Sequence, residues 1–438
     1  MNASPGERYR TLAKEEAVVE QVVVSDECQK ILRVTAAAVC VIALVAISAG
    51  RARASLRHHH SHAVTKRAPT HSAVEPYKGA LLEDADSGKI LYEDNPDMEW
   101  PPASMAKMTL LLVAEDQLKA GRVHLSDPVR ISERSAHTMG SRLGLVEGQV
   151  YPLRELMKAA LIKSANDAAV AVAEKIGGSV EATVRMMNLR AKNLGMDHTE
   201  FHTVDGLPPR PAHDVDRTSA RDLARVAREI IQTTDLLQWS SLEQTDFDGG
   251  VAMLHTTNHL IGHFEGCDGL KTGFTFQAGF NVTATARRGN LRLVAVVLGA
   301  PSNQQRFAQA AKLLEWGFDH YTAVSLLKSG QPLPVQVQAE SGKMIQPIAA
   351  GDLKVVLPKD DVGSLKVTYQ VPNAVAGPIT SGQTLGRVVA RDRGEEISET
   401  AAVSPIAVGA PQTAQVSDGW NPPRPTAYNE AAKVQESQ

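Results

Sequence analysis

The sequence predicts an α/β (α+β) fold, one sheet with segregated helices, followed by a small all-β domain, and three observations carry the prediction. Strand-like runs stand at Ala80 onward and again at 280–299. A long helical stretch lies between them. The pattern then changes after Ser325. From Ala80, ALLEDADSGKILYEDN sets two short runs around Asp86, Ser87 and Gly88, a turn composition that predicts a hairpin. Leu, Met, Val and Ala then recur at three- and four-residue spacing near 104–120, 153–163, 167–177, 179–194 and 218–231, which predicts helices. Strands are expected at 280–287 and 291–299, and a last helix from Asn303 to Trp316. After Ser325 come short alternating runs, PVQVQ, KVVL, KVTYQV and GRVVA, punctuated by Gly, Pro and Asp-Asp, the signature of a small all-β unit.

The 438 residues, 43% of them hydrophobic, suffice for more than one packed unit. A net charge of -3 and a pI near 6.5 leave no broad basic surface, so nucleic acid is not an expected partner. Of three cysteines, Cys28 and Cys40 lie in or before an apolar N-terminal stretch, and Cys267 alone falls in the body, so no intramolecular disulfide is available there.

That stretch, VTAAAVCVIALVAISAG from Val34 to Gly50, is uncharged and reaches the lower limit for a bilayer-spanning helix. Ala52, Arg53 and Ala54 resemble a small-x-small cleavage site, whereas the flanks disagree with simple export, since Lys30 and Arg33 precede the segment and Arg51, Arg53 and Arg57 follow it. Cleaved signal and retained anchor are both open. The resulting organisation is a polar region over 1–33, a signal or anchor over 34–54, a linker over 55–75, a first domain over 76–324, an all-β domain over 325–405, and a disordered tail over 406–438. His58, His59, His60, His62 and His71 fall in the linker, and a solvated run does not position metal ligands, so no functional metal is expected.

Ser104 and Lys107 stand three positions apart at a predicted helix start, behind Pro101 and Pro102, which places them on one face. A serine hydroxyl attacks only when a base takes its proton, and a lysine is that base only where burial leaves it neutral. SxxK alone arises by chance roughly once in a chain of this length. Ser164 and Asn166, in LIKSANDAAVAV, suit a helix break and cap; alternatively, Ser164 relays a proton to the leaving amine while the Asn166 amide holds a substrate carbonyl or the lysine. Lys271, Thr272 and Gly273 stand just before strand-like runs. They read either as an exposed turn or as a carboxylate site at a sheet edge, where the ammonium and hydroxyl bind the anion and glycine lets a peptide lie close as an added strand.

In the order SxxK, SxN, KTG, the three elements form the penicilloyl-serine transferase signature. PPASMAKMTLLLVAE, LIKSANDAAVAVAE and DGLKTGFT closely resemble the low-molecular-mass D-alanyl-D-alanine carboxypeptidases, which are penicillin-binding proteins. LLEDADSGKILYEDN, SARDLARVAREI, LRLVAVVLGA and QQRFAQAAKLLEWGF extend the resemblance from Ala80 to Phe318. It implies a β-lactamase/DD-peptidase-like catalytic domain with Ser104 as nucleophile, Lys107 as base, Ser164 and Asn166 as second motif, and Lys271 and Thr272 receiving the substrate carboxylate. It also implies an oxyanion hole from the backbone N–H groups of Ser104 and Phe274, and an arginine, Arg306, near the carboxylate pocket. Many members carry a histidine where this chain has Phe274, which removes a polar side chain but keeps the backbone donor.

The implied substrates are peptidoglycan stem peptides ending in D-Ala-D-Ala, with β-lactams acylating the same serine, at the extracytoplasmic face of the envelope. The all-β unit resembles the family's second domain, a stalk without chemistry. The tail, DGWNPPRPTAYNEAAKVQESQ, has too little apolar face for the membrane helix that ends related proteins, which leaves the N-terminal segment as the candidate anchor. No cofactor motif competes. The rivals are a class A β-lactamase, a DD-endopeptidase that cuts cross-links, and a catalytically silent envelope scaffold. A β-lactamase of that class needs a deacylating glutamate, and no Glu lies between Glu200 and Glu229. The complete motif set argues against the scaffold.

Overall fold

The structure, a computed structural model, describes residues 16–21, 76–208 and 214–409. The segment 34–54, the linker with its histidines at 55–75, and the tail beyond 409 lie outside the described residues. Among the described residues no helix is long and apolar enough to cross a membrane.

The larger body is built on a five-stranded antiparallel sheet. Its strands are β1 (Gly79–Asp84), β2 (Ile90–Asp94), β3 (Cys267–Thr275), β4 (Gly279–Arg288) and β5 (Leu291–Ala300), in the spatial order β2-β1-β5-β4-β3. The run LRLVAVVLGA becomes the central strand because both of its faces are covered, so its residues are apolar almost without alternation. Leu293, Ala295 and Val297 pack on one side with Phe307, Ala310 and Leu314 of the helix α6 (Asn303–His320). Val294, Val296 and Leu298 face the other side, where Leu223, Ala224, Val226 and Ala227 of α5 (Ala220–Thr233) cover them. The helices therefore occupy both faces of the sheet.

The remaining helices, α1 (Ala106–Lys119), α2 (Leu153–Ile162), α3 (Asn166–Gly177) and α4 (Val180–Asn193), pack on that second side. Every residue of α1 from Ala106 to Ala114 is buried, so α1 is the axis of the helical cluster and lacks a solvent face over its first turns. Two polar side chains go into that interior with it, Lys107 and Thr109, both 0% exposed.

The smaller body is all β. Strand β6 (Tyr321–Leu327) pairs with β7 (Leu353–Pro358), and β8 (Leu365–Pro372), β9 (Thr384–Asp392) and β10 (Glu395–Val403) form consecutive antiparallel neighbours over a separate core that includes Val337, Leu357, Tyr369 and Val388. It begins at Tyr321, not after Ser325, because the residue that ends α6 is already extended and starts β6. It continues to Val408, which bridges Ile379. Within the region expected to be only polar, Glu16–Gln21 forms a strand antiparallel to β8; its sequence, EAVVEQ, carries two β-branched residues suited to a pleated backbone. The hairpin turn between β1 and β2 meets the smaller body, where Lys89 Nζ donates to the Val356 carbonyl at 2.8 Å and Asp86 pairs with Lys354.

Candidate active site

Ser104 sits in a 3-10 turn, Ala103–Met105, that leads directly into α1. Asn281 of β4 secures the approach, its Nδ2 donating to the carbonyls of Pro101 at 2.9 Å and Pro102 at 3.2 Å. Two glycines from distant segments make room. A Cβ at Gly273 would stand 2.5 Å from the Pro102 carbonyl oxygen, and one at Gly206 would stand 1.8 Å from the Ala103 carbonyl oxygen. Gly273 thus seats the serine's turn against β3, a use the sequence does not reveal. Ala103 takes a left-handed φ of 50°, costly for a residue with a Cβ and held by this packing. The turn leaves Ser104 half-buried while Ala103 and Met105 are buried.

Lys107 lies one turn further on. Its Nζ is 2.8 Å from Ser104 Oγ, 2.7 Å from Asn166 Oδ1 and 2.9 Å from the Asp205 carbonyl oxygen. Burial pushes its pKa down to about 8, against the opposing pull of the Asp205, Asp216 and Asp167 carboxylates. When charged, the ammonium donates to all three oxygens. When neutral, the amine keeps two N–H donors for Asn166 and Asp205 and turns its lone pair to the serine hydroxyl, which then donates.

Ser164 follows the last turn of α2 at a φ of 65°, the left-handed position that commonly ends a helix. Asn166 is not a cap: Ala165 occupies the N-cap of α3, without a side-chain bond. The Asn166 amide instead bridges, Oδ1 accepting from Lys107 and Nδ2 donating to the Met139 carbonyl at 2.7 Å. The next residue, Asp167, is fully buried and accepts from the backbone N–H groups of Leu143, Gly144, Leu145 and Ala168, which fixes the loop over the second motif.

Lys271, Thr272 and Gly273 lie within β3, the edge strand, so the exposed-turn reading fails. Lys271 is 1% exposed, and burial, followed by repulsion from Lys107 and Arg306, holds its pKa well below the usual lysine range. Its Nζ donates to the Thr272 carbonyl at 3.0 Å, and Thr272 Oγ1 donates to Thr257 Oγ1 at 2.7 Å. Arg306 reaches across from α6, donating to the Gly273 and Asn281 carbonyls at 3.0 Å each. Its Nε is buried with no partner among the described residues, and burial lowers its pKa to about 10. Phe274 is 43% exposed; its ring packs 4.3 Å from that of Phe280 and 5.7 Å from that of the 99% exposed Phe276.

All nine residues singled out from the sequence fall in this region. Sequence reasoning missed Asp205, Gly206, Asp216, Asn281 and Asp167. The dipeptide Asp205-Gly206 signals a turn, but nothing local says which atoms the turn meets.

A hydroxyl in contact with a buried lysine of lowered pKa, beside the edge strand of a helix-covered antiparallel sheet, defines the class of penicillin-interacting serine hydrolases. A family model described as D-alanyl-D-alanine carboxypeptidase matches residues 63–302, and one described as penicillin-binding protein 5, C-terminal domain, matches 321–410. D-alanyl-D-alanine carboxypeptidase DacF of Bacillus subtilis (strain 168) is 35% identical over 75% of this chain and 84% of its own, and DacC of Escherichia coli (strain K12) is 30% identical over 73% and 81%. Among solved structures, penicillin binding protein 5 from Haemophilus influenzae superposes with a TM-score of 0.68 at 29% identity, over 77% of this chain and 99% of its own. The ampicillin-bound form of penicillin-binding protein D2 from Listeria monocytogenes gives a TM-score of 0.52 at 30% identity, over 56% and 98%. The chain belongs to the serine D-alanyl-D-alanine carboxypeptidase family, the low-molecular-mass penicillin-binding proteins, and is an enzyme of that type.

Proposed function

We propose that Ser104 attacks the carbonyl of the penultimate D-Ala of peptidoglycan stem peptides and releases the terminal D-Ala through an acyl-enzyme. One observation carries the assignment: the 2.8 Å contact between Ser104 Oγ and the fully buried Lys107 Nζ, whose pKa of about 8 leaves a useful neutral fraction near neutral pH.

As Oγ bonds to the carbonyl carbon, its proton moves to Lys107 Nζ, and the negative charge on the carbonyl oxygen is received by the Ser104 and Phe274 backbone N–H groups. The C–N bond then breaks, and a proton passes through the Ser164 hydroxyl to the leaving amine. Water adds to the ester, its proton returning by Lys107, and the C–O bond breaks to restore Ser104. Lys271 and Thr272 bind the terminal carboxylate. An incoming carboxylate supplies an opposite charge that buried Lys271 lacks among the described residues, so it favours the ammonium form as substrate binds. Asn166 holds Lys107 in register through Oδ1, and Arg306 holds the Gly273 carbonyl. A β-lactam enters by the same attack and leaves a stable ester.

The enzyme works at the extracytoplasmic face, and residues 34–50 direct export, either cleaved after Ala54 or retained as an anchor; N-terminal sequencing of the mature protein distinguishes the two. The function is tested with a fluorescent penicillin and a stem peptide ending in D-Ala-D-Ala. Covalent labelling with D-alanine release, both lost in Ser104→Ala, is the expected result. Labelling that persists in Ser104→Ala removes Ser104 as nucleophile, and fast penicillin turnover without D-alanine release makes the enzyme a β-lactamase.

A further inference from the structure

The segment from Phe201 to Gly206 touches the site at two points. The Asp205 carbonyl accepts from Lys107 Nζ at 2.9 Å, and Gly206 lies so close to the Ala103 carbonyl that no Cβ fits between them. One buried carboxylate holds this segment. Asp216, 3% exposed, accepts from the His202 N–H at 2.6 Å and the Thr203 N–H at 3.0 Å through Oδ1, and from Thr203 Oγ1 at 2.7 Å through Oδ2. Thr203 Oγ1 in turn accepts the Gly206 N–H at 2.9 Å. The backbone beside Asp216 is fastened on both sides. Arg217 exchanges two 3.0 Å bonds with Glu200, at the head of the segment, and Thr218 exchanges bonds of 2.7 and 3.0 Å with Trp100, at the approach to Ser104.

We propose that Asp216 is a positioning residue of the acyl-transfer site: through Thr203 and the turn at Gly206 it fixes the Asp205 carbonyl, and so the direction in which Lys107 presents Nζ to Ser104. The inference rests on Lys107 being the base. Losing one acceptor would free Nζ to rotate away from the hydroxyl, and sub-ångström misplacement of a proton acceptor costs rate steeply. Asp216 also contributes charge. Asp205, Asp216 and Asp167 are the carboxylates that oppose the desolvation of Lys107, and Lys271 is the cation beside it. Around Asp216 itself stand Asp205 and His202, whose imidazole lies 3.7 Å from Glu200, and Arg217, which pairs with Glu200 at 2.6 Å. All three hydrogen bonds to Asp216 come from the positioned segment, so the carboxylate is occupied in holding it and is not poised to activate a deacylating water.

The test compares penicillin acylation rates across pH in the full chain and in Asp216→Asn, Thr203→Val and Lys107→Ala, with melting temperatures for each. Thr203→Val removes the Gly206 acceptor and leaves the charge, and should lower the limiting rate about tenfold without moving the pH midpoint. Asp216→Asn removes the charge, and should move the rise in rate with pH to lower pH as well as lower its limit. A purely structural role would leave that midpoint unmoved. If Asp216→Asn fails to fold, the limiting rate of Thr203→Val decides. Folded variants with the parental limit and midpoint, alongside an inactive Lys107→Ala, overturn the inference alone; an active Lys107→Ala overturns the assignment of the base.

Discussion

Gly273 and Pro102 are in contact at a distance that no side chain at 273 permits: a Cβ there would stand 2.5 Å from the Pro102 carbonyl oxygen. The edge strand and the turn that carries Ser104 therefore touch backbone to backbone. Gly273→Ala should push them apart, cost about 1–3 kcal/mol of stability by overpacking and reduce acylation roughly a hundredfold. Labelling kinetics together with thermal melting check this; acylation at the parental rate would mean that the turn relaxes freely.

The pKa of Lys107, near 8, sets a pH dependence with a definite sign. Acylation should rise as pH increases through about 8, where the amine becomes neutral. Stability should rise as well. Below pH 8 both folded and unfolded chains carry the proton and the folded state bears the full cost of the buried charge; from pH 8 toward the ordinary lysine value of 10.5 the unfolded chain binds more protons, so unfolding free energy increases with pH. Denaturant titrations at pH 7 and pH 9.5, compared with Lys107→Met, isolate this contribution. A difference between the two pH values that is unchanged in the variant would assign it to other groups.

Asn166→Asp places a carboxylate 2.7 Å from Lys107 Nζ in an almost isosteric side chain. The lysine pKa should rise, and the increase in acylation rate should move to higher pH, opposite in sign to the shift expected for Asp216→Asn. The same measurement therefore separates the two sites. A shift to lower pH would show that the amide does not face the amine.

Asp167 accepts from four backbone N–H groups while fully buried, so Asp167→Ala orphans them. A loss of about 2–4 kcal/mol is expected, with faster amide exchange at Leu143, Gly144 and Leu145 than elsewhere in the fold. Uniform exchange across the chain would contradict a local role.

Phe274 contributes a ring that packs on Phe280 and a backbone N–H aimed, under the proposed mechanism, at the oxyanion. Phe274→Ala keeps the N–H, and acylation should stay within about fivefold, since the donor rather than the ring stabilises the developing charge. Loss of a hundredfold or more would place the ring in substrate binding.

The elements were legible wherever one period dominated. The Leu-, Val- and Ala-rich runs became α1 to α6 within a few residues of the expected limits, and 291–299 became the central strand. Edges were less legible. CDGLKTGFT reads as a turn followed by a strand because its Gly, Asp and Lys are poor strand formers, yet pairing with β4 makes the whole segment the edge strand β3. EAVVEQ falls in a stretch read as polar because Lys14, Glu15, Glu16, Glu20 and Gln21 interrupt its valines.

By itself the sequence determined what local geometry enforces: the helices and strands, and the placing of Ser104 and Lys107 on one face, since three residues along a helix complete most of a turn. Its three motifs together determined the family. Tertiary structure alone decided what surrounds the amine. Asn166 and the Asp205 carbonyl reach Lys107 from 59 and 98 residues away, and whether two such segments meet depends on packing that no local pattern encodes. The lowered pKa of Lys107 is likewise a property of the assembled interior, because only the burial of α1 on every side removes the water that would otherwise keep the lysine charged.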